Sequence, residues 1–85
     1  MESRTRIAIM QAISRLGAFI PEEVIPEVRF IDKVRVSAQQ VRQVMHELAG
    51  DGIIEEREGD VGPKRFWKVR LPEALAKKID VAGVQ

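Results

Sequence analysis

The chain contains no cysteine, which excludes a disulfide framework, a thiolate nucleophile and a cysteine-based zinc site and fits a reducing compartment. It also lacks a long apolar run. The longest one near the N-terminus is Ile7 to Met10, and Arg4 and Arg6 precede no continuous apolar stretch. Neither a signal peptide nor a transmembrane helix is therefore expected, which implies a cytoplasmic chain with no membrane partner. Groups suited to catalysis are equally scarce. His46 is the single histidine, no glycine-rich phosphate loop precedes a helix, and no ligand set is spaced for a metal. Glu55 and Glu56 are neighbours that point to opposite faces of a strand, so they cannot act as a paired acid and base. The expectation is a protein that is not an enzyme and takes no cofactor and no metal.

An excess of one charge is missing too. The net charge is +1, whereas nucleic-acid-binding domains often carry a marked basic excess. The distribution is uneven, however. Arg4, Arg6 and Arg15 face only Glu2 in the first twenty residues, Asp51 to Asp60 holds Asp51, Glu55, Glu56, Glu58 and Asp60 against Arg57, and Lys64, Arg65, Lys68 and Arg70 follow with no acid among them. With 85 residues the chain makes one domain, residues 1–85, and buries little more than ~60% of its unfolded surface, so stability rests on a thin core.

Helical spacing of Ile9, Ile13 and Leu16, with Thr5 and Ala12 beside them, predicts a helix over 3–16 that starts at Ser3 and stops at Gly17. Ile7 lies off that stripe. Pro21 and Pro26 each suit a first helical turn but not an interior, which predicts a turn after Pro21 and a short helix over about 26–33. Ser37 and Gln40 form a capping box at the start of a helix over 37–49, whose Val41, Val44, Met45 and Leu48 share one side. Gly50 and Gly52 are expected to supply left-handed conformations at its end. Ile53 and Ile54 open a hairpin over 53–71, in which Trp67, Val69 and Leu71 alternate with Phe66, Lys68 and Arg70 around a projecting loop at Gly59 to Pro63. Glu55, Glu56 and Glu58 are placed to pair across the ladder with Arg65, Lys68 and Arg70. Pro72 opens a terminal helix over 72–80 with Leu75 and Ile79 one turn apart. The fold class is α+β.

This order, with "VSAQQVRQVMHELAGDGIIE" at Val36 to Glu55 and "FWKV" at Phe66 to Val69, resembles the winged helix-turn-helix family of DNA-binding domains. The resemblance covers roughly Pro26 to Leu71, and Val36, Ser37, Val41, Leu48, Gly52, Ile53 and Ile54 stand at the family's turn, anchor and wing-opening positions. It implies a three-helix core, a recognition helix over 37–49, a β-hairpin wing and a short terminal helix. Two features depart from the family pattern: the second helix is proline-started and charged, and the first strand of the wing is acidic.

At about 100° per residue, Gln39, Gln43 and His46 lie nearly opposite the Val41 and Leu48 stripe, flanked by Arg42 and Gln40. Such a face suits a major groove, because glutamine pairs bidentately with adenine and arginine with guanine; it equally suits a plain solvated helix face. Lys64 and Arg65 in the wing are candidates for phosphate contacts, as are Arg4 and Arg6, whose charge opposes the dipole at the first helix's start. Ser37, Gln39, Gln40, Arg42, Gln43, His46, Lys64 and Arg65 are thus the expected DNA-binding set. The expected function is sequence-specific binding of double-stranded DNA, as a transcriptional regulator acting as a homodimer with Ile7, Phe66 or the Leu75 and Ile79 stripe as contact. The rival is a protein-interaction module that docks on a larger assembly, favoured by the near-neutral charge and the acidic Asp51 to Asp60 stretch.

Overall fold

A computed structural model describes residues 1–59 and 65–83. The architecture is α+β, with helices α1 (Ser3–Leu16), α2 (Pro21–Glu27), α3 (Ala38–Gly50) and α4 (Pro72–Gly83), and strands β1 (Ala18–Phe19), β2 (Ile54–Glu58) and β3 (Arg65–Val69). The strands form one antiparallel sheet in the order β1-β3-β2.

The core is built around α1, which packs against α4, α2 and α3. Facing neighbours on several sides, it buries more than one stripe: Ala8 and Met10 join Ile9, Ala12 and Ile13 inside. Gly17 ends this helix at φ 71°, a left-handed conformation that glycine adopts without a Cβ clash. Its carbonyl then accepts the Val69 N–H at 2.8 Å. That bond leads into β1, where Phe19 pairs with Trp67 and is itself buried. β1 is only two residues long, too short for alternation to announce it, and its pairing partner lies far along the chain.

The expected short helix over 26–33 begins at Pro21 instead. Pro21 occupies the first helical position, where a missing N–H costs nothing, and the Glu23 carboxylate accepts the Ile20 N–H at 3.1 Å. Isoleucine has no side-chain oxygen to reciprocate, so only this half of a capping box forms. Pro26 therefore lies inside the helix, where its ring removes one i to i−4 bond. The chain continues as a single wide π turn, Val28–Asp32, closed by Lys33 at φ 57°. Tertiary burial of Val24 and Val28 holds this segment helical past the proline.

α3 and its ends follow from local chemistry. Ser37 Oγ accepts the Gln40 N–H at 3.2 Å while Gln40 Oε1 accepts the Ser37 N–H at 2.9 Å. At the other end Gly52, at φ 71°, is the left-handed residue, and Gly50 remains helical. The Gly52 N–H reaches the Ala49 carbonyl at 3.0 Å and the Ile53 N–H reaches that of Leu48 at 2.9 Å, the doubled closure of a Schellman motif. Its accompanying apolar contact joins Leu48 and Ile53, both buried.

β2 and β3 pair with Glu55 opposite Lys68, Glu56 opposite Trp67 and Glu58 opposite Arg65. Trp67 and Val69 pack against the core, but Leu71 is 48% exposed because β3 has already ended and the chain is turning into α4. In α4 Leu75 is fully buried and Ile79 packs against the core. Leu75 is thus spent on the core, and Ile79 is half-buried beside it. Among the described residues no helix is long and apolar enough to cross a membrane.

Candidate functional site

The capping box and the Leu48–Ile53 closure fix the rotation of α3 about its axis. Val41, Val44, Met45 and Leu48 are buried, and Gln39, Arg42, Gln43 and His46 are exposed together on the other side. Ser37 and Gln40 belong to the same end of the helix, but their side chains are engaged with each other's backbone, so their first role is to hold the face rather than to extend it. Amides and a guanidinium make this face able to donate and accept hydrogen bonds in fixed geometry.

Glu47 is the one acid of α3, and it is neutralised from two sides. Arg6 of α1 and Lys78 of α4 both bond its Oε1, Lys78 at 3.2 Å, and Lys78 also reaches Asp51 at 2.8 Å. Burial alone would raise the Glu47 carboxyl, but the hydrogen bonds from Arg6 and Lys78 outweigh it and hold the group below its ordinary value. Arg6, an expected phosphate contact, forms an ion pair with Glu47, because the start of α1 lies alongside the last turns of α3. Arg6 shares a hollow with Gln43 there. Arg4 is exposed and forms no ion pair among the described residues.

The hairpin behaves differently. Arg65 bonds Glu56 at 3.0 Å and lies 3.8 Å from Glu58, Arg70 bonds Glu55 at 2.8 Å, and Arg57 bonds Glu55 as well. The hydrogen bond from Arg57, followed by that from Arg70, lowers the Glu55 carboxyl. Lys64 and most of the expected projecting loop fall outside the described residues. Exposed pairs of this kind each contribute ~1 kcal/mol or less, yet together they leave three hairpin guanidiniums already partnered.

Cations ahead of α3 were not in the expected set. Arg29, on the π turn, and Arg35, two residues before Ser37, line one hollow with Ile25 and Val36. From Arg29 to His46 the chain has Arg29, Lys33, Arg35 and Arg42 against the single acid Asp32, and Asp32 is bound by Arg15 of α1 at 2.7 Å. The signal was present in composition, as cations gathered just before a strong helix cap, but the two prolines obscured where the segment would lie. The family models, the curated proteins and the solved structures compared with this chain yield no match.

Proposed function

We propose that the chain is a winged-helix module that binds double-stranded DNA in a sequence-dependent way, as a transcriptional regulator. In this reading α3 enters the major groove and presents Gln39, Arg42, Gln43 and His46 to base edges. The carrying observation is that these four side chains share one exposed face, while the only acid on the helix is held by Arg6 and Lys78. A bare carboxylate there would repel phosphate; a paired one does not. Arg29, Lys33 and Arg35 supply backbone contacts on the approach to the groove, and the hairpin acts as the wing. Arg65 and Arg70 contribute less to phosphate contact than their charge suggests, because the acids of β2 already hold them. Two copies on a two-fold related site would give the affinity that one small module lacks.

Titration of the chain against random-sequence duplex DNA over a range of salt tests this reading. The logarithm of affinity should fall with the logarithm of salt concentration by about 0.9 per phosphate neutralised, and absent or salt-independent binding would overturn it. Selection of preferred duplexes from a random pool then identifies the site.

A second reading, a protein-interaction module that leaves DNA alone, is favoured by one specific observation. Phe30 and Ile31 on the π turn are 63% and 60% exposed and border a hollow with Leu16 and Pro26. Adjacent exposed large apolar side chains are a common mark of a protein contact. Pull-down or scattering experiments in which Phe30→Ser with Ile31→Ser abolishes an association, with no DNA binding by the parent, would favour that reading.

A further inference from the structure

A second concave site adjoins the hollow that Arg6 shares with Gln43. Between the start of α1, the end of α3 and one face of α4 runs an open groove of about 620 Å³. Its base is apolar, with the buried Ile53 and the half-buried Ala74, and Val81 stands at its lip 65% exposed. Its polar side carries three cations, Arg6, Lys77 and Lys78, against one acid, Asp51. Lys77 and Lys78 both line it; Lys78 is shared between Glu47 and Asp51, whereas Lys77 is exposed and forms no ion pair among the described residues. An apolar base beside an unneutralised ammonium is complementary to a molecule that has a greasy body and one negative end.

We infer that this groove is a binding site for a small carboxylate with an apolar body, its charge on Lys77 and Lys78 and its body over Ile53 and Ala74. Occupancy is felt on α3. The Lys78 ammonium already divides its donors between Glu47 on α3 and Asp51 just beyond it, so an added carboxylate becomes a third acceptor and weakens the hold on Glu47. Differential contact of this sort is what a coupling between two sites requires. The inference goes beyond the proposed function and does not depend on α3 reading bases, because both the binding and its effect on Glu47 are measurable without DNA.

The test is titration of the isotope-labelled full chain with octanoate, followed by NMR. Saturable shifts confined to Ile53, Ala74, Lys77, Lys78 and their neighbours are expected, together with an upward move of the Glu47 carboxyl titration. Lys77→Gln should weaken octanoate binding by up to about fivefold, the worth of one exposed charge pair. Val81→Glu, which sets a carboxylate at the lip, should abolish it. Both substitutions are at exposed positions, and unchanged shifts at Phe19 and Val41 verify that the core is intact. Shifts that do not saturate or that scatter over the surface would overturn the site, as would equal binding of uncharged 1-octanol or of the Val81→Glu protein. An unmoved Glu47 titration at saturation would overturn the coupling.

Discussion

The α3 face and the β2–β3 hairpin both carry arginine and leave it in opposite states. In the hairpin, the glutamates of β2 lie within reach of Arg57 on the same strand, of Arg65 on β3 and of Arg70 just beyond it, so all three arginines are paired within the element. On α3 and the segment before it, the cations outnumber the acids, Asp32 is taken by Arg15 and Glu47 by Arg6 and Lys78. Acids contributed by the surrounding segment are thus neutralised by other helices, which leaves Arg42 and its flanking amides open. The contrast teaches that a count of basic residues does not give the surface available to a polyanion; their pairing does.

The contrast should be clearest in stability. Leu48 is fully buried and closes the end of α3 against Ile53, so Leu48→Ala should cost about 2–5 kcal/mol, whereas Glu56→Ala in the hairpin should cost about 1 kcal/mol or less. Denaturant unfolding of both variants measures the gap, and equal losses would erase the distinction between a face fixed by the core and a self-paired ribbon. A somewhat smaller effect concerns recognition. Arg42→Ala with Gln43→Ala should remove about 1–3 kcal/mol of discrimination for each base pair read, while Arg65→Ala with Arg70→Ala should leave preference unchanged. Competition between preferred and scrambled duplexes decides it, and loss of preference in the hairpin variant alone would reverse the assignment.

Next in size is the cap. Ser37→Ala removes the acceptor for the Gln40 N–H and should destabilise the chain by about 1 kcal/mol, read by thermal or denaturant unfolding. The smallest effect is on pH dependence. The Glu47 carboxyl sits below its ordinary value of 4.5 in the folded chain, so its ion pairs add stability above that value, and the contribution fades as pH falls through the folded-state pKa. Unfolding of Glu47→Gln followed from neutral to acidic pH should therefore show a shallower decline than the parent. Glu55→Gln should show the same sign, since Glu55 is lowered as well. A steeper decline in either variant would contradict the pairing described.

Short-range chemistry made much of α3 and the hairpin legible. A serine, a glutamine three residues on, four apolar residues at helical spacing and a glycine stop define a helix and its inward face, because every one of those interactions spans a turn or less. The segment around Pro21 and Pro26 was less legible, since proline excludes a helix interior only as long as nothing else holds the segment. Burial of Val24 and Val28 supplied that hold. Leu71 and Leu75 show the same limit from the other side. Both are leucines beside Pro72, yet the first is half-exposed and the second fully buried, a difference made by where β3 stops and α4 turns onto α1.

By itself, the sequence determined the cap that opens α3, the apolar side of that helix, the hairpin and the gathering of charge into separate stretches, because these depend on neighbours within a few residues. Only the tertiary structure decided that Phe19 would pair with Trp67, that Glu47 would meet Arg6 and Lys78, and that Leu75 would be sealed inside. Those contacts join residues far apart in the chain, and whether an arginine is free or a leucine is open depends on which face another element covers.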